Sequence, residues 1–352
     1  GLVGSEMCIR DRYLPVAWVI GLGLSSIQLI PFLEFISYST RTGGFGYENL
    51  TKWSYHPLEL IQLLVPYVFG TTVPMCRWFG QYWLDTFYIG VFPLLLVIFC
   101  LCWSKCKRNL FLLFIICSSL SMALGKYNPF FYWFISVPGI NMLHYPVKYL
   151  FLAGFALSIL AGMGFSSLFA RFKQGTQTKG FFLFLLVANL ITIALLFTGL
   201  VMDDNLFALF KGIYPQTLFH KIAGVESGYL AIFKGYSWFV LLLISGSMLF
   251  VCTSKGLIPV KVSKVICVVI LLADLMLIGK PADPVVSSAR YTSPSETVKV
   301  LKTVPSHFRI FSLSYITFGG FMHIPNTPFP ETFETLKSFL TPNLSLIFAL
   351  DT

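Results

Sequence analysis

Seven residues stand out by type and place: Glu34, Arg41, His56, Tyr82, Asp85, Tyr145 and Lys148. They gather in or beside two polar stretches, 34–85 and 125–146, that interrupt otherwise apolar sequence. Arg41 and Lys148 lie where a loop meets an apolar segment, a costly place for a cation unless an anion is near. A phosphate or diphosphate suits that position, since a guanidinium clamps it with two hydrogen bonds and an ammonium meets it as a point charge. A lysine snorkelling to a membrane surface, or Arg41 paired with Glu34, is the competing reading. Glu34 and Asp85 could take a proton from a hydroxyl. Transfer from a phosphate ester needs both parts, a carboxylate for the acceptor and cations for the leaving phosphate. His56, Tyr82 and Tyr145 would supply further contacts to such a ligand, although aromatics at this depth also serve as interfacial anchors.

Other chemistries lack their residues. No glycine-rich phosphate loop is present, so ATP hydrolysis and NAD binding have no support. Cys100, Cys102 and Cys106 cluster without a histidine and match no zinc spacing. The five histidines are dispersed, and no HExxH occurs. Cys76 is the one cysteine in an outward-facing stretch, which leaves it no disulfide partner there. The residues therefore call for no metal and no cofactor.

The surrounding sequence decides what positions these groups. Charged residues make up 11% of the 352 and hydrophobic residues 56%, with 36 phenylalanines. A soluble domain averages roughly 25% charge, so too little polar surface exists to coat a water-soluble globule. The expectation is an all-α polytopic membrane protein. Seven apolar segments are expected to span, at about 13–33, 86–103, 109–124, 147–169, 181–201, 236–253 and 265–279. The connections at 104–108, 170–180 and 254–264 carry nine positive charges and no acid. The alternate connections, with Lys148, carry eight positives and seven acids. Under the positive-inside rule the first set is cytoplasmic, and the large loops and the C-terminus face outward. The net charge of +10 is thus read as topology, not as affinity for nucleic acid.

Finer expectations follow. Gly154, Ser158, Gly162 and Ser166 recur every fourth residue and predict a flat face for helix packing. Asp274 is an acid inside an apolar span; hydrogen bonding near the interface and a coupling or catalytic role are both open. The apolar stretch 58–66 is long enough for a helix in the membrane interface. Residues 280–352 read as the start of an external α/β region. There Ser293-Pro-Ser-Glu296 predicts a capping box and a helix to about Thr303, and Phe308 to Ile316 a strand. Residues 1–12 resemble translated sequencing-adapter read-through, and the chain is expected to be an internal piece of a longer protein.

The loop motifs together carry a resemblance. Gln28-Leu-Ile-Pro31, Glu34 with Ser39 and Arg41, Pro66 with Gly70, Tyr88-Ile-Gly90 with Pro93, Gly125-Lys-Tyr, Pro138-Gly139, Tyr145-Pro-Val-Lys148 and Asn343-Leu-Ser-Leu resemble the YfhO-type bacterial membrane proteins, counted among the GT-C glycosyltransferases. The resemblance implies a multi-pass enzyme of the bacterial plasma membrane. Such an enzyme moves a sugar from a polyprenyl-phosphate carrier to an envelope polymer or lipid acceptor on the outer face. In that class the base is typically an acid in the first external loop, which is expected to lie upstream of this piece, leaving the piece inactive alone. His144 departs from the arginine that family members often carry before the Tyr-Pro pair. A lipid transporter or flippase, and a non-catalytic envelope protein, are the alternatives.

Overall fold

The computed structural model describes residues 2–39, 44–70, 78–104, 107–137, 141, 143–175, 178–213, 225–280 and 287–303. Among these residues all regular structure is helical, without a strand. The longer helices are α1 (Leu2–Ser37), α2 (Val91–Trp103), α3 (Lys107–Ala123), α4 (Leu150–Gln174), α5 (Lys179–Val201), α6 (Asp203–Ile213), α7 (Val225–Ser254) and α8 (Val260–Gly279). A short α9 (Glu296–Leu301) follows. Residues 2–12, set aside above, continue directly into the first apolar segment as part of α1.

Among the described residues five helices are long and apolar enough to cross a membrane: Pro15–Ser37 of α1, α4 with the turn before it, α5, Gly228–Ser254 of α7, and α8. Seven were expected. The difference falls on α2 and α3, which have 13 and 17 residues. Thirteen residues of helix reach about 20 Å, short of a hydrocarbon core of about 30 Å. The expected span at 86–103 loses its start because Thr86–Gly90 is not helical, and Gly90 opens α2 with φ of 96°. A Cβ there would stand 3.1 Å from the Leu271 side chain. The apolarity of α2 instead matches burial inside protein, with Val91, Phe92, Leu95, Leu96, Phe99 and Cys100 all enclosed.

α2 packs most extensively against α4, α3 covers another side of α4, and α7 bridges α5 to α2. α8 closes against α2, α4 and α7. The backbones of α2 and α4 meet at Gly164, where any Cβ would collide with the Leu96 carbonyl oxygen. Buried Ala153, Ala156 and Leu160 extend that contact. The stripe expected to pack, Gly154 to Ser166, is not this face. A Cβ at Gly162 would meet nothing within 4 Å, and one at Gly154 would meet the Phe87 ring at 3.6 Å. Small-residue spacing fits both faces of α4, and the face with Ala153, Ala156, Leu160 and Gly164 is the one that packs.

The outer surface is apolar. α5 exposes Leu183, Leu186, Leu190 and Phe197, and no residue of the α1 apolar window is buried. Faces of this size require lipid or protein cover. Between helices, polar side chains are tied: Asn189 donates to Ser247 Oγ at 2.8 Å, Tyr236 donates to the Thr192 carbonyl at 3.0 Å, and Thr253 and Ser263 share a bond of 2.6 Å. Such bonds fix helix register where no water competes.

At the C-terminal end the cap of α9 is Ser295, whose hydroxyl accepts from the Val298 N–H, not Ser293 as the motif suggested. Pro294 lies before the cap instead of at the first helical position, and the helix ends at Leu301. The expected strand and Asn343-Leu-Ser-Leu lie outside the described residues.

Candidate functional site

The two polar stretches singled out in the sequence fold onto each other. The Phe45 N–H donates to the Asn141 carbonyl, Tyr55 N–H to the Ala123 carbonyl, and Lys126 N–H to Ser54 Oγ, at 3.0, 2.9 and 3.0 Å. Gly125 makes that contact possible. Its φ is 49°, and a Cβ would overlap the Ser54 hydroxyl. Only glycine satisfies both demands at low cost.

This junction builds an aromatic stack with a cation on it. Pro146 starts a 3-10 turn, Pro146–Tyr149, and Tyr145 before it takes a left-handed conformation with φ of 70°. That conformation turns the Tyr145 ring onto Trp53, with centroids 4.2 Å apart. Trp83 closes the group at 5.5 Å from Tyr145 and 5.7 Å from Trp53. Lys148 places its ammonium 4.3 Å from the Trp83 ring and 4.8 Å from Tyr145. Trp53 is itself left-handed at φ of 59°. Non-glycine residues in this region each carry of order 1–3 kcal/mol of strain, and such strain concentrates at functional sites. Among the described residues, two of the three in this conformation fall in this one stack.

Trp83 is aimed by Gln81, which is fully buried. Gln81 Oε1 accepts the N–H groups of Trp83 and Leu84 at 2.6 and 2.8 Å, and its amide donates to the Leu84 carbonyl. Beside Lys148 lies a cavity of about 590 Å3, lined among others by Trp83, Thr86, Phe87, Phe151 and Ser158. Its walls are apolar except at the Lys148 end. The Thr86 hydroxyl oxygen is buried there without a hydrogen-bond partner among the described residues.

The other sequence candidates distribute as follows. Asp85 is half-buried two residues beyond Trp83. Tyr82 is half-buried, but its neighbour Trp83 is the ring that meets Lys148. Glu34 is exposed on α1 and packs on no core. Arg41 lies outside the described residues.

His56 belongs to a second cluster. It caps the 3-10 turn Pro57–Leu63, with ring Nδ1 accepting the Leu58 N–H at 3.2 Å and the His56 backbone N–H donating to Glu59 Oε2 at 3.1 Å. Its ring stacks on Phe79 at 3.8 Å and meets Tyr127 edge-on. Burial, and then the nearby charge of Lys126, lower its pKa below 6.5. The turn itself is inverted relative to a water-facing helix. Glu59 and Gln62 are fully buried, while Leu58 and Ile61 are 51% and 44% exposed. That orientation suits an element whose outer face meets lipid, as the apolar stretch suggested, though it is a tight 3-10 turn and not a longer helix.

Asp274 has the bland arrangement. It is buried, with Tyr88 OH donating to Oδ2 at 2.8 Å and Trp238 Nε1 donating to Oδ1 at 3.0 Å. The bonds tie α8 to α7 and to the segment entering α2. Among the described residues no group of three histidine, cysteine or acidic side chains could hold a metal.

Trp53, Trp83 and Gln81 carry the stack, yet no spacing pattern marks them. Trp83 had only its place beside Tyr82 as a signal, and Trp53 had none.

No family model, curated protein or solved structure matches the chain. Any functional reading therefore rests on the loop motifs and on this geometry.

Proposed function

We propose that the chain is part of a membrane glycosyltransferase that moves a sugar from a polyprenyl-phosphate carrier to a cell-envelope acceptor at the outer face of the bacterial plasma membrane. One observation carries the reading: a lysine ammonium held on two aromatic faces at the mouth of an apolar cavity, where the stretches 34–85 and 125–146 meet. A lipid phosphate has that polarity, an anionic head on a hydrocarbon body.

Cleavage of the sugar–phosphate bond leaves negative charge on the departing phosphate, and a positioned cation stabilises it as it forms. Lys148 would serve there, its stem fixed by the rings, with Arg41 as the second cation. The acceptor hydroxyl needs a carboxylate to take its proton. Asp85, two residues from Trp83, is the better placed acid on this chain, since Glu34 projects from the unpacked α1. The resemblance puts the principal base in sequence upstream. The nine cytoplasmic charges and the acid-rich opposite loops support the outward orientation of the site and of the C-terminus.

The test is transfer of radiolabelled sugar from a polyprenyl-phosphate donor in membranes expressing the complete gene. Lys148→Ala is expected to lower transfer by about 100-fold, equivalent to about 2.7 kcal/mol of transition-state stabilisation. Arg41→Ala should act in the same direction. Full activity in both variants removes the phosphate assignment.

A further inference from the structure

Where α2 stops and α3 starts, an open cavity of about 590 Å3 lies against α4. Ser104, Arg108, Ser166 and Ser167 line one end of it, and Ile159, Gly162 and Met163 line the part nearer the middle of α4. Two arginines stand at this end of the bundle, and they differ in what they do. Arg171 is engaged: its guanidinium donates to the Trp103 carbonyl at 2.7 Å and lies 5.7 Å from the Phe99 ring centre. Arg108 is exposed, and among the described residues its side chain has neither an acid nor a hydrogen-bond acceptor. The buried Asn109 beside it donates to the Cys100 and Ser104 carbonyls, which pins the start of α3 to the end of α2 and sets where Arg108 stands. The serines divide in the same way. Ser158, Ser237 and Ser247 turn their hydroxyls back onto a carbonyl four residues earlier. Ser166 and Ser167 make no such bond among the described residues. An unengaged guanidinium and unengaged hydroxyls around one hollow are a donor set for a phosphate. The connections at this end, 104–108, 170–180 and 254–264, carry nine positive charges and no acid, so they supply no anion of their own.

Resting on the proposed orientation, we infer that this cavity seats the phosphate of an anionic glycerophospholipid of the cytoplasmic leaflet. Two features favour a lipid over a soluble phosphate. Ile159, Gly162 and Met163 carry the cavity up to about 10 Å from Ser166 toward the middle of the helix, where an acyl chain is the natural neighbour. Arg108 and Ser166 are also exposed on the outside of the bundle, the surface that meets lipid. Basic pockets between helices on the cytoplasmic side hold anionic headgroups, and the charge of that leaflet concentrates around them.

Photo-crosslinking of the full chain in nanodiscs tests this, using a phosphatidylglycerol with a diazirine high on one acyl chain. Labels are expected on the peptide covering 159–167. Arg108→Gln should lower labelling about tenfold, the worth of a hydrogen bond to a charged group, with the unfolding midpoint unchanged. Ser166→Ala combined with Ser167→Ala should lower it about threefold. Lys173→Gln removes the same charge about 10 Å further along α4, a Debye length from Ser166, and should change labelling by less than about twofold. A diacylglycerol with the same diazirine but no phosphate should label about tenfold less. Equal losses in Arg108→Gln and Lys173→Gln, or equal labelling by the diacylglycerol, overturn the site. Loss of label on adding excess glycerol phosphate also overturns it, by assigning the cavity to a soluble anion. The leaflet is read separately. A protease site inserted after Gly175 should survive protease added to spheroplasts and be cut in inverted vesicles. Cleavage in spheroplasts sinks the orientation and the choice of leaflet. Protection there with labelling indifferent to Arg108→Gln sinks the cavity alone.

Discussion

One ten-residue segment, 81–90, feeds two charged clusters of opposite character. Its first half delivers Trp83 to Lys148, and its second half delivers Tyr88 to Asp274. At Asp274 each carboxylate oxygen has a donor from a different element, and the side chain is closed off from solvent. At Lys148 the cation rests on ring faces, is exposed, and opens on a cavity. Of the left-handed non-glycine residues among the described ones, Trp53 and Tyr145 lie on the lysine side, while Tyr67 donates its hydroxyl to the Ile278 carbonyl on α8. The contrast separates a charge enclosed by hydrogen bonds between helices from a charge exposed beside a cavity. An isolated acid in an apolar span invites a functional reading, yet here its hydrogen bonds are complete and the less conspicuous lysine has the open geometry.

Removing the carboxylate should have the largest effect on stability. Asp274→Ala leaves a tyrosine hydroxyl and an indole N–H buried without an acceptor, and the expected loss is about 3 kcal/mol. Denaturant unfolding in detergent micelles measures it. Lys148→Ala should cost under about 1 kcal/mol, the scale of an exposed cation–π contact. Equal losses in the two variants would erase the distinction.

Gly125→Ala tests the junction that brings the loops together. A methyl group at φ of 49° pressed against Ser54 should destabilise by about 1–3 kcal/mol. The damage should reach the lysine side first, because Ser54 follows Trp53 directly. Tryptophan fluorescence is the check: a red shift preceding global unfolding is expected. A variant with wild-type emission and midpoint would show that the close approach of the two loops does not set the stack.

The helices were legible where apolarity was continuous. The expected span at 181–201 became Lys179–Val201, and that at 265–279 became Val260–Gly279. The expected span at 86–103 became the shorter Val91–Trp103, an apolar helix mostly enclosed by protein. Composition reports the absence of water, not what replaces it. Lys148 and Tyr145 were readable as a pair from the Tyr-Pro-Val-Lys order, since a proline turn holds them within one short element. Trp53 and Trp83 were not, being 30 residues apart in loops and meeting only through ring contacts with each other and with Tyr145, which leave no periodic trace. Gln81 shows the same limit. An amide that folds back on the next three residues looks like any polar loop residue until its carbonyl is seen to hold Trp83.

The smallest effect concerns pH and sits on neither charged cluster. His56 must be neutral at Nδ1 to accept the Leu58 N–H, and burial together with Lys126 opposes its protonation. The folded chain therefore holds a histidine of lowered pKa, while the unfolded chain titrates near 6.5. As pH falls past 6.5 the unfolded state takes up the proton first, so stability is complete above that value and declines below it. The loss is bounded by the worth of the cap, about 1 kcal/mol. His56→Asn keeps an acceptor without titrating in this range, so its unfolding midpoint should stay flat between pH 7.5 and 5.5 while the wild type falls. The lysine site should bind its anion equally at both ends of that window. If affinity for a prenyl phosphate drops in step with the wild-type midpoint but not in His56→Asn, the two loop clusters are coupled and the boundary drawn between them is too sharp.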